Sequence, residues 1–301
     1  MSGVLMGLDI GATKILGVVA SAQGEVLGSV RVASPSGGDQ VVAAAADVVA
    51  ELRAAAGDRT TGVIGVGIPG LVDVAHGTVR HAVNLGVADG YPFSARLGAA
   101  VGTAVVLDND ANAAALGAAA LLGLDDLGYL SLGTGLAAAL VLEGRLRRGA
   151  QNAAGEIGHI PVDPAGPRCE CGQVGCLETM ASGSALAALW PSGSGQPAGQ
   201  ALFDAAAAGD ADAVAVRDRF AARVADAVRL VALTVDPAVV VLGGGVAQVG
   251  DRLRVAVAHA LAEQAAASPF LRSLDLPGRL RLAPLDVPVA ALGAALLGKP
   301  S

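Results

Sequence analysis

The chain has 301 residues, of which 53% are hydrophobic and 16% charged, and it carries a formal net charge of −7. This length and apolar content are sufficient for one large or two ordinary hydrophobic cores without disulfides. The acidic balance argues against a nucleic-acid partner, because binding to phosphate backbones needs clustered lysine and arginine side chains.

The sequence also argues against a membrane or secreted location. Although the mean hydropathy is +0.58, the apolar runs 112–124 and 287–298 are too short to span a bilayer. The first residues lack the basic region and the cleavage site of a signal peptide. Cysteines grouped as in a metal site fit a reducing compartment. We therefore expect a cytoplasmic protein with neither a membrane nor a nucleic-acid partner.

The first part of the chain predicts strands followed by helix–strand units. The predicted strands are 4–10, 15–20, 26–32, 63–68 and 103–107, and the predicted helices are 39–56 and 110–122. Asp108, Asn109 and Asp110 lie at the last strand-to-helix junction, where open α/β sheets bind ligands. Aspartate and asparagine are also favoured helix N-caps, and a lone aspartate there is more often a cap than a catalytic residue.

Residues 128–148 repeat the pattern of the N-terminus. The turn Gly133-Thr134-Gly135 corresponds to the turn that follows Asp9, and the hairpin turn 143–145 corresponds to 23–25. The remaining predicted elements are strands 129–132, 136–142, 238–242 and 279–283 and helices 181–189, 212–234, 251–267 and 287–297. The repeat predicts two similar α/β halves that face each other, with a cleft between two loops that contact phosphate.

All three cysteines lie in one short segment that follows a histidine. Together they form a complete ligand set for a closed zinc site: His159, Cys169, Cys171 and Cys176. The competing interpretation is that the cysteines are reduced and behave as small hydrophobic residues. Their grouping between glycines and prolines and their odd number favour a structural zinc ion. Such an ion would hold the loop that carries Glu156, His159 and Glu178.

Two small-residue turns offer surfaces for phosphate. The first combines a carboxylate, small residues, a hydroxyl and a cation: Asp9, Gly11, Ala12, Thr13 and Lys14. The backbone amides of such a turn can approach phosphate oxygens, and the carboxylate can hold Mg²⁺ directly or through water. Gly243-Gly244-Gly245, before a helix, offers a similar surface for a nucleotide. Neither pattern is specific alone, because a turn in a strand meander also explains the first glycine.

Several polar residues have the types needed to bind and phosphorylate a sugar. A hydroxyl that accepts a phosphoryl group needs a positioned base, and Asp110 is a carboxylate at a predicted ligand-binding junction. Five further side chains can hydrogen-bond the hydroxyls of a polar substrate: Asn84, Asn109, Glu156, His159 and Glu178.

As a set, these segments resemble the ROK family (repressors, open reading frames, kinases) of the actin and hexokinase superfamily. The resemblance covers nearly the whole chain. It rests on DIGATK at 9–14, GIPGLVD at 67–73, NL at 84–85, DNDANAAALGA at 108–118, LGTG at 132–135, EIGHIPVDPAGPRCECGQVGCLE at 156–178 and GGGV at 243–246. The glutamate, histidine and cysteine segment is highly specific, whereas each glycine segment is weak on its own.

The resemblance implies an α/β architecture of two duplicated, ribonuclease H-like domains of the actin-like ATPase type that flank a central cleft. It implies a small N-terminal domain, 1–109, closed by a C-terminal helix, 288–301. The large domain, 110–287, would carry the zinc loop, 156–178, as an insertion. A homodimer or homotetramer is expected.

The same resemblance implies ATP-dependent phosphorylation of a hexose, with glucose and its 6-hydroxyl as the first expectation. Asp110 would be the general base, and Asn84, Asn109, Glu156, His159 and Glu178 would contact sugar hydroxyls. His159 would bind zinc through one ring nitrogen and the sugar through the other. The phosphate and magnesium loops would be Asp9, Gly11, Thr13, Lys14, Gly133, Thr134 and Gly135, and the adenosine side would be Gly243, Gly244 and Gly245.

The chain departs from the family pattern at three places. Ala12 replaces the second glycine of the first loop, Ala137 and Ala138 replace glycines after the second loop, and Val87 stands where a tryptophan or similar residue often occurs. The crowded loops motivate a different candidate function, a non-catalytic sugar-binding regulator. A kinase for a different hexose or an N-acetylhexosamine, and a kinase that uses polyphosphate or another phosphoryl donor, are also compatible with the sequence.

Overall fold

The computed structural model describes residues 3–57, 62–193 and 195–299. Contacts divide the chain into two compact units. Unit 1 comprises Met1–Asp125, Glu143–Ala154 and Asp286–Ser301, and unit 2 comprises Asp126–Leu142 and Gly155–Leu285. Each unit has its own hydrophobic core. Positions 300 and 301 of the predicted C-terminal helix lie outside the described residues.

The strands lie mostly in the first half of the chain, and the helices mostly in the second half. The strands are β1 (Val4–Ile10), β2 (Lys14–Ser21), β3 (Val26–Ala33), β4 (Val63–Ile68), β5 (Leu71–Asp73), β6 (Thr78–Arg80), β7 (Ala104–Asn109), β8 (Leu127–Leu132), β9 (Leu136–Leu142), β10 (Arg145–Leu146), β11 (Val239–Gly243) and β12 (Leu280–Leu282). The helices are α1 (Gly38–Ala56), α2 (Phe93–Val101), α3 (Asp110–Leu122), α4 (Glu178–Ala181), α5 (Gly183–Leu189), α6 (Ala198–Ala207), α7 (Ala211–Val235), α8 (Asp251–Ala265), α9 (Pro269–Ser273) and α10 (Val289–Leu297). Within the described residues, none of these helices combines the length and the apolar character needed to cross a membrane.

Unit 1 is built on a five-stranded sheet with the order β3-β2-β1-β4-β7. β1, β2 and β3 form the predicted antiparallel meander, whereas β1, β4 and β7 are parallel. Apolar residues of α1, including Val41, Val48 and Leu52, are buried in the core of this unit. Because the carboxyl ends of parallel strands lie at one edge of a sheet, Asp9 on β1 and Asn109 on β7 lie at the same edge.

The sheet of unit 2 repeats this arrangement. Its strands β9-β8-β11-β12 follow the order and directions of β2-β1-β4-β7: the first pair is antiparallel and the other pairs are parallel. The long helix α7 supplies buried residues of its core, including Phe220, Val224 and Val228. The predicted internal duplication is therefore confirmed at the level of strand order.

The C-terminal helix α10 belongs to unit 1, where it packs against β1, β4 and α3. Its contact with α3 depends on two glycines, because a Cβ on Gly293 would overlap the carbonyl oxygen of Ala113 and a Cβ on Gly117 would overlap that of Val289. Ala291 and Leu292 of the same helix are fully buried. The backbones of the two helices are thus in direct contact.

The two compact units differ from the expected domains, whose boundaries were placed after residues 109 and 287. Helix α3 lies with unit 1, because one of its faces is covered by α10. The segment Glu143–Ala154 also lies with unit 1. Hydrophobic periodicity along one chain does not reveal which sheet a buried helix covers, so this assignment required the tertiary structure.

Candidate functional site

Acidic residues collect at the carboxyl edge of the unit 1 sheet. Asp9 of β1 pairs in register with Gly67 of β4, and Gly67 pairs with Asp108 of β7. Asp110 follows as the first residue of α3. Lys14, the first residue of β2, adds a positive charge to this group, because it interacts electrostatically with Asp9. The strand ends predicted to carry a ligand site therefore bring Asp9, Lys14 and Asp110 together.

The carboxyl group of Asp9 is poorly solvated. Its burial raises its pKa to about 6, the negative charge of Asp110 adds to this increase, and Lys14 opposes it. A carboxylate with this environment gains stability from a nearby cation. Asp9 is therefore suited to hold a divalent ion, as predicted for Mg²⁺.

Asp110 and Asn109 have different structural roles. Asn109 is the N-cap of α3, since its Oδ1 accepts hydrogen bonds from the amides of Ala111 (2.8 Å) and Asn112 (3.4 Å). Burial raises the pKa of Asp110, although the Ala111 amide donates to its Oδ1 at 2.9 Å. Among the described residues, Asp110 forms no ion pair with lysine or arginine. The capping role that the sequence left open therefore falls to Asn109.

The predicted sugar contacts of unit 1 lie at the end of β7, for Asn109, and in a turn after β6, for Asn84. Asn109 donates through its Nδ2 to the carbonyl of Gly70 at 3.0 Å, so much of its hydrogen-bonding capacity serves the local fold. Asn84 lies in the 3-10 turn Val83–Leu85 and its side chain is exposed. The exposed amide of Asn84 is free to face solvent or a ligand.

In unit 2, Glu178 lies against the turn Gly133-Thr134-Gly135. Its Oε2 accepts a hydrogen bond from the amide of Leu136 at 2.9 Å. A Cβ on Gly135 would overlap this carboxylate, so glycine is required for the contact. The carbonyls of Gly133 and Thr134 accept from the first amides of α5, Gly183 (2.7 Å) and Ser184 (3.2 Å). Glu178 and α5 thus fix the turn between β8 and β9.

The second glycine segment of unit 2 lies next to this turn. Gly243 of β11 pairs with Ser131 of β8, two residues before Gly133. Gly244 has a φ of 81°, and a Cβ there would overlap the backbone of Leu132. The structure therefore brings Gly133-Thr134-Gly135 and Gly243-Gly244-Gly245 to the same edge of the unit 2 sheet.

The four predicted zinc ligands form one cluster. Their ligand atoms, from His159, Cys169, Cys171 and Cys176, all lie within 4.8 Å of one another. The distance from His159 Nδ1 to Cys169 Sγ is 3.7 Å, and that from Cys171 Sγ to Cys176 Sγ is 3.6 Å. A tetrahedral zinc ion with thiolate ligands has edges of about 3.8 Å. The residues therefore fit a zinc ion, and the interpretation of the cysteines as independent apolar residues is disfavoured.

Gln173 is a residue of this cluster that the sequence interpretation missed. Its Nε2 donates to the carbonyl of His159 at 2.9 Å and to Cys171 Sγ at 3.3 Å. The hydrogen bond from Gln173 to the thiol lowers the pKa of Cys171 to about 6, whereas burial raises the pKa of Cys176 to about 12. Nothing in the local pattern distinguishes this glutamine from a surface residue, so its role was visible only in three dimensions.

The two ring nitrogens of His159 face different partners. Its Nδ1 faces Cys169, and its Nε2 lies 4.0 Å from Oε2 of Glu156. Both side chains are partly exposed. This orientation is compatible with the expected use of one nitrogen for zinc and the other for a ligand.

Comparison with known proteins identifies the family. The model of the ROK family matches residues 5–300. The chain belongs to the ROK family. The family predicted from the sequence motifs is therefore confirmed.

Three similar proteins are a hexokinase, a glucokinase and an N-acetylmannosamine kinase. The crystal structure of a ROK hexokinase from Thermus thermophilus is 35% identical, with a TM-score of 0.80 and coverage of 98% of this chain and 97% of that one. A ROK family glucokinase from Streptomyces griseus, in complex with glucose and AMPPNP, is 31% identical, with a TM-score of 0.82 and coverage of 98% and 99%. An N-acetylmannosamine kinase of Yersinia pseudotuberculosis is 34% identical over 245 residues, which are 80% of this chain and 82% of that protein. The predicted α/β fold class of the ROK kinases is thereby confirmed.

The Asp9 carboxyl group of this ROK protein should lower the stability of the folded chain at neutral pH. Its pKa is about 6 in the folded protein and has an ordinary value of 3.8. The folded state therefore binds more protons than the unfolded state between these values, and the stability contributed by Asp9 falls as pH rises through this window. We expect Asp9→Asn to raise the melting temperature at neutral pH, with a gain that disappears as pH approaches the lower value.

The measurement is thermal unfolding of both proteins in EDTA across the acidic to neutral range. Asp47→Asn, on an exposed position of α1, is the matched control for the loss of one negative charge. If the difference in melting temperature between Asp9→Asn and the parent protein stayed constant with pH, this result would contradict the raised pKa of Asp9.

The ROK cysteine cluster should bind zinc and stabilise its loop. Cys171→Ser removes one thiolate of the set, and the affinity of a structural zinc site depends on all four ligands. We expect about one zinc per chain in the parent protein, a clear loss of bound zinc in the variant, and a lower melting temperature. Metal analysis and thermal unfolding measure these outcomes.

Glu170→Gln is the matched control for this experiment, because Glu170 is exposed and lies between two proposed ligands without belonging to the cluster. It should retain both zinc and stability. Equal zinc contents in Cys171→Ser and the parent protein would rule out the proposed ligand set.

Proposed function

We propose that this protein is an ATP-dependent hexose kinase that phosphorylates glucose at its 6-hydroxyl, with Asp110 as general base. The observation that carries the proposal is the position of Asp110 at the carboxyl edge of the unit 1 sheet, at the start of α3, with a raised pKa and no cationic partner among the described residues. The 31% identical ROK glucokinase that binds glucose and AMPPNP supports both substrates.

In the proposed reaction Asp110 accepts the proton of the attacking sugar hydroxyl. As the sugar O6 attacks the γ-phosphorus of ATP, its proton moves to the Asp110 carboxylate, the O6–P bond forms, and the bond from phosphorus to the β–γ bridging oxygen breaks to release ADP. A carboxylate with a raised pKa is a better proton acceptor than an ordinary aspartate, provided that it is ionised at the working pH. The hydrogen bond from Ala111 to Oδ1 orients this group.

The remaining residues bind the two substrates. Asn84 and Asn109 in unit 1 and Glu156, His159 and Glu178 in unit 2 contact sugar hydroxyls. Lys14, Thr13 and the amides near Gly11 bind phosphate oxygens, and Asp9 holds Mg²⁺, which neutralises phosphate charge when bound. Gly133, Thr134 and Gly135 bind phosphate from unit 2, with Gly243, Gly244 and Gly245 on the adenosine side. The electrostatic interaction among Asp9, Lys14 and Asp110 supports the first group.

The zinc ion is proposed as a scaffold without a chemical step of its own. Its ligands His159 and Cys176 lie close in sequence to Glu156 and Glu178, and Gln173 ties the histidine backbone to the thiols. Fixing these ligands therefore fixes the backbone that carries two proposed sugar contacts. The protein is proposed to act in the cytoplasm as a homodimer or homotetramer, without a nucleic-acid partner.

A second candidate is a kinase for an N-acetylhexosamine. The observation that favours it is the 34% identity to an N-acetylmannosamine kinase. The base, the phosphate loops and the zinc site would serve both substrates unchanged. The two candidates differ in the groups that must fit around the sugar C2 position, where glucose carries a hydroxyl and the N-acetylhexosamine carries an acetamido group.

The test is a coupled assay of ADP release with Mg²⁺-ATP and a panel of glucose, mannose, fructose, allose, N-acetylglucosamine and N-acetylmannosamine. We expect the highest kcat/KM with glucose. A preference for an acetamido sugar would replace the first candidate by the second, and polyphosphate in place of ATP tests the donor. Saturable sugar binding without turnover on any sugar or donor would instead indicate a non-catalytic sugar-binding regulator.

A further inference from the structure

An ion pair between a buried carboxylate and a partly exposed arginine lies directly before the junction that carries Asp110. Asp108, at the end of β7, is 1% exposed. Its Oδ2 accepts a hydrogen bond from Nε of Arg148 at 2.7 Å and forms an ion pair with Nη2 at 2.6 Å. Arg148 follows β10 in the segment 143–154 of unit 1. Burying two charges is costly unless their geometry is good and their hydrogen bonds are complete.

The other oxygen of Asp108 is also fully used. Its Oδ1 accepts from the backbone amide of Asn109 and from Nδ2 of Asn112, both at 2.8 Å. Asn112 is itself buried, 5% exposed, in the first turn of α3. The carboxylate therefore receives three hydrogen bonds, one from Nε of Arg148 and two from the junction that contains Asp110, and Nη2 of Arg148 adds a close charge contact.

These hydrogen bonds connect Arg148 to the start of α3. Asp108 fixes the amide of Asn109, and Asn109 in turn caps the amides of Ala111 and Asn112. Asp110 lies within this turn, between residues whose amides are all fixed. The backbone of Arg148 is fixed too, because its carbonyl accepts from the amide of Ala154 at 3.0 Å.

The pair also limits the negative charge at this edge of the sheet. The charge of Asp110 already raises the cost of ionising Asp9 through Coulomb repulsion. Arg148 supplies the positive charge that compensates Asp108, the third carboxylate of the group. Loss of the guanidinium would leave a buried, uncompensated charge two residues before the proposed base, and local rearrangement relieves such a charge.

We propose that Arg148 is a positioning residue for phosphoryl transfer, acting through Asp108 to hold the Asn109-Asp110 backbone so that the Asp110 carboxylate keeps one orientation. This inference rests on the proposed function, because it assigns the catalytic effect to Asp110. Arg148 itself contacts neither substrate in this scheme. Its effect therefore falls mainly on kcat, and sugar affinity changes less, because Asn109 is only one of the five proposed sugar contacts.

The kinetic test compares Arg148→Met with Arg147→Met. Arg147 is the neighbouring residue, and its ion pair with Glu143 is at the surface, which makes it a matched control. We expect Arg148→Met to lower kcat by about 10- to 100-fold, since a displacement of about 1 Å can have that effect, with the sugar dissociation constant changed by less than about threefold. Arg147→Met should leave both unchanged. A folded Arg148→Met protein with the parent kcat would overturn the proposal.

Hydrogen exchange supplies a readout that does not depend on activity. In Arg148→Met, the amides of Asn109, Ala111 and Asn112 should exchange faster, whereas amides later in α3 should keep their rates. Unchanged exchange at these three amides would overturn the positioning role even if activity fell. A parent protein that bound sugar without turnover would count against the proposed function alone, because the exchange result would still decide the positioning role.

Two further variants separate positioning from folding. Arg148→Lys keeps the charge and should retain more activity than Arg148→Met, but less than the parent, because an ammonium cannot reproduce the two-nitrogen contact. Asp108→Asn combined with Arg148→Met removes both charges and should fold more stably than Arg148→Met alone. Parent-like kcat and exchange in this double variant would also overturn the proposal.

Discussion

Replacing Asp110 by asparagine should abolish most phosphoryl transfer while leaving sugar binding measurable. The amide keeps the size of the side chain and its hydrogen bond from Ala111, but it cannot accept the proton of the attacking hydroxyl. Removal of a general base lowers rates by about 10²- to 10⁴-fold. We therefore expect kcat to fall by this factor, as measured by ADP release, with the sugar dissociation constant little changed in calorimetry.

One control variant and one stability measurement accompany this result. Asp47→Asn changes the net charge equally at an exposed position of α1 and should keep full activity. Asp110→Asn should also melt at a higher temperature than the parent at neutral pH, because it removes a carboxylate whose pKa is raised by burial and its repulsion on Asp9. A kcat within about tenfold of the parent would exclude Asp110 as the base.

Replacing Gly293 by valine should cause the largest loss of stability among the substitutions considered. The new side chain would overlap the carbonyl oxygen of Ala113 in α3, and neither backbone can move without disturbing the core of unit 1. Overpacking of this kind costs about 1–3 kcal/mol where side chains can rearrange, and more where they cannot. We expect a loss of at least about 3 kcal/mol in the free energy of unfolding, by urea denaturation.

Ala290→Val is the matched control for this helix, because Ala290 is only partly buried and receives the same new side chain. Intrinsic helix propensity falls when valine replaces alanine and rises slightly when it replaces glycine, so propensity cannot explain a larger loss at 293. Ala290→Val should cost well under the Gly293 value, and Gly293→Ala should fall between the two. Equal effects of the valine substitutions at 290 and 293 would contradict the assignment of the loss to the contact with α3.

The sequence predicted most strands and the candidate site because both depend on local patterns. Apolar runs bounded by glycine predicted β1, β4 and β11 within one or two residues. Seven elements were missed: the helices α2, α4, α6 and α9 and the short strands β5, β6 and β10. Even the longer ones, α2 and α6, span only 9 and 10 residues, so each offers fewer than three turns in which a helical period can be recognised.

The zinc set shows how far residue type and spacing can lead. Only His159 and the three cysteines offered a complete ligand set, and the structure places their ligand atoms within 4.8 Å of one another. Gln173 could not be found in this way, because its role depends on the direction of its amide toward His159 and Cys171. A glutamine in a loop has no pattern that marks such a contact.

The sequence by itself thus determined the ROK family, the internal duplication, and the candidates for the base and the zinc ligands, since these reside in residue type and short spacing. Only the tertiary structure decided that α3 packs with α10, that Asn109 takes the capping role, and that Arg148 pairs with Asp108. The first and last of these contacts join residues that are far apart in the chain. In close-packed interiors such partners are selected by shape and by the need to satisfy every buried charge.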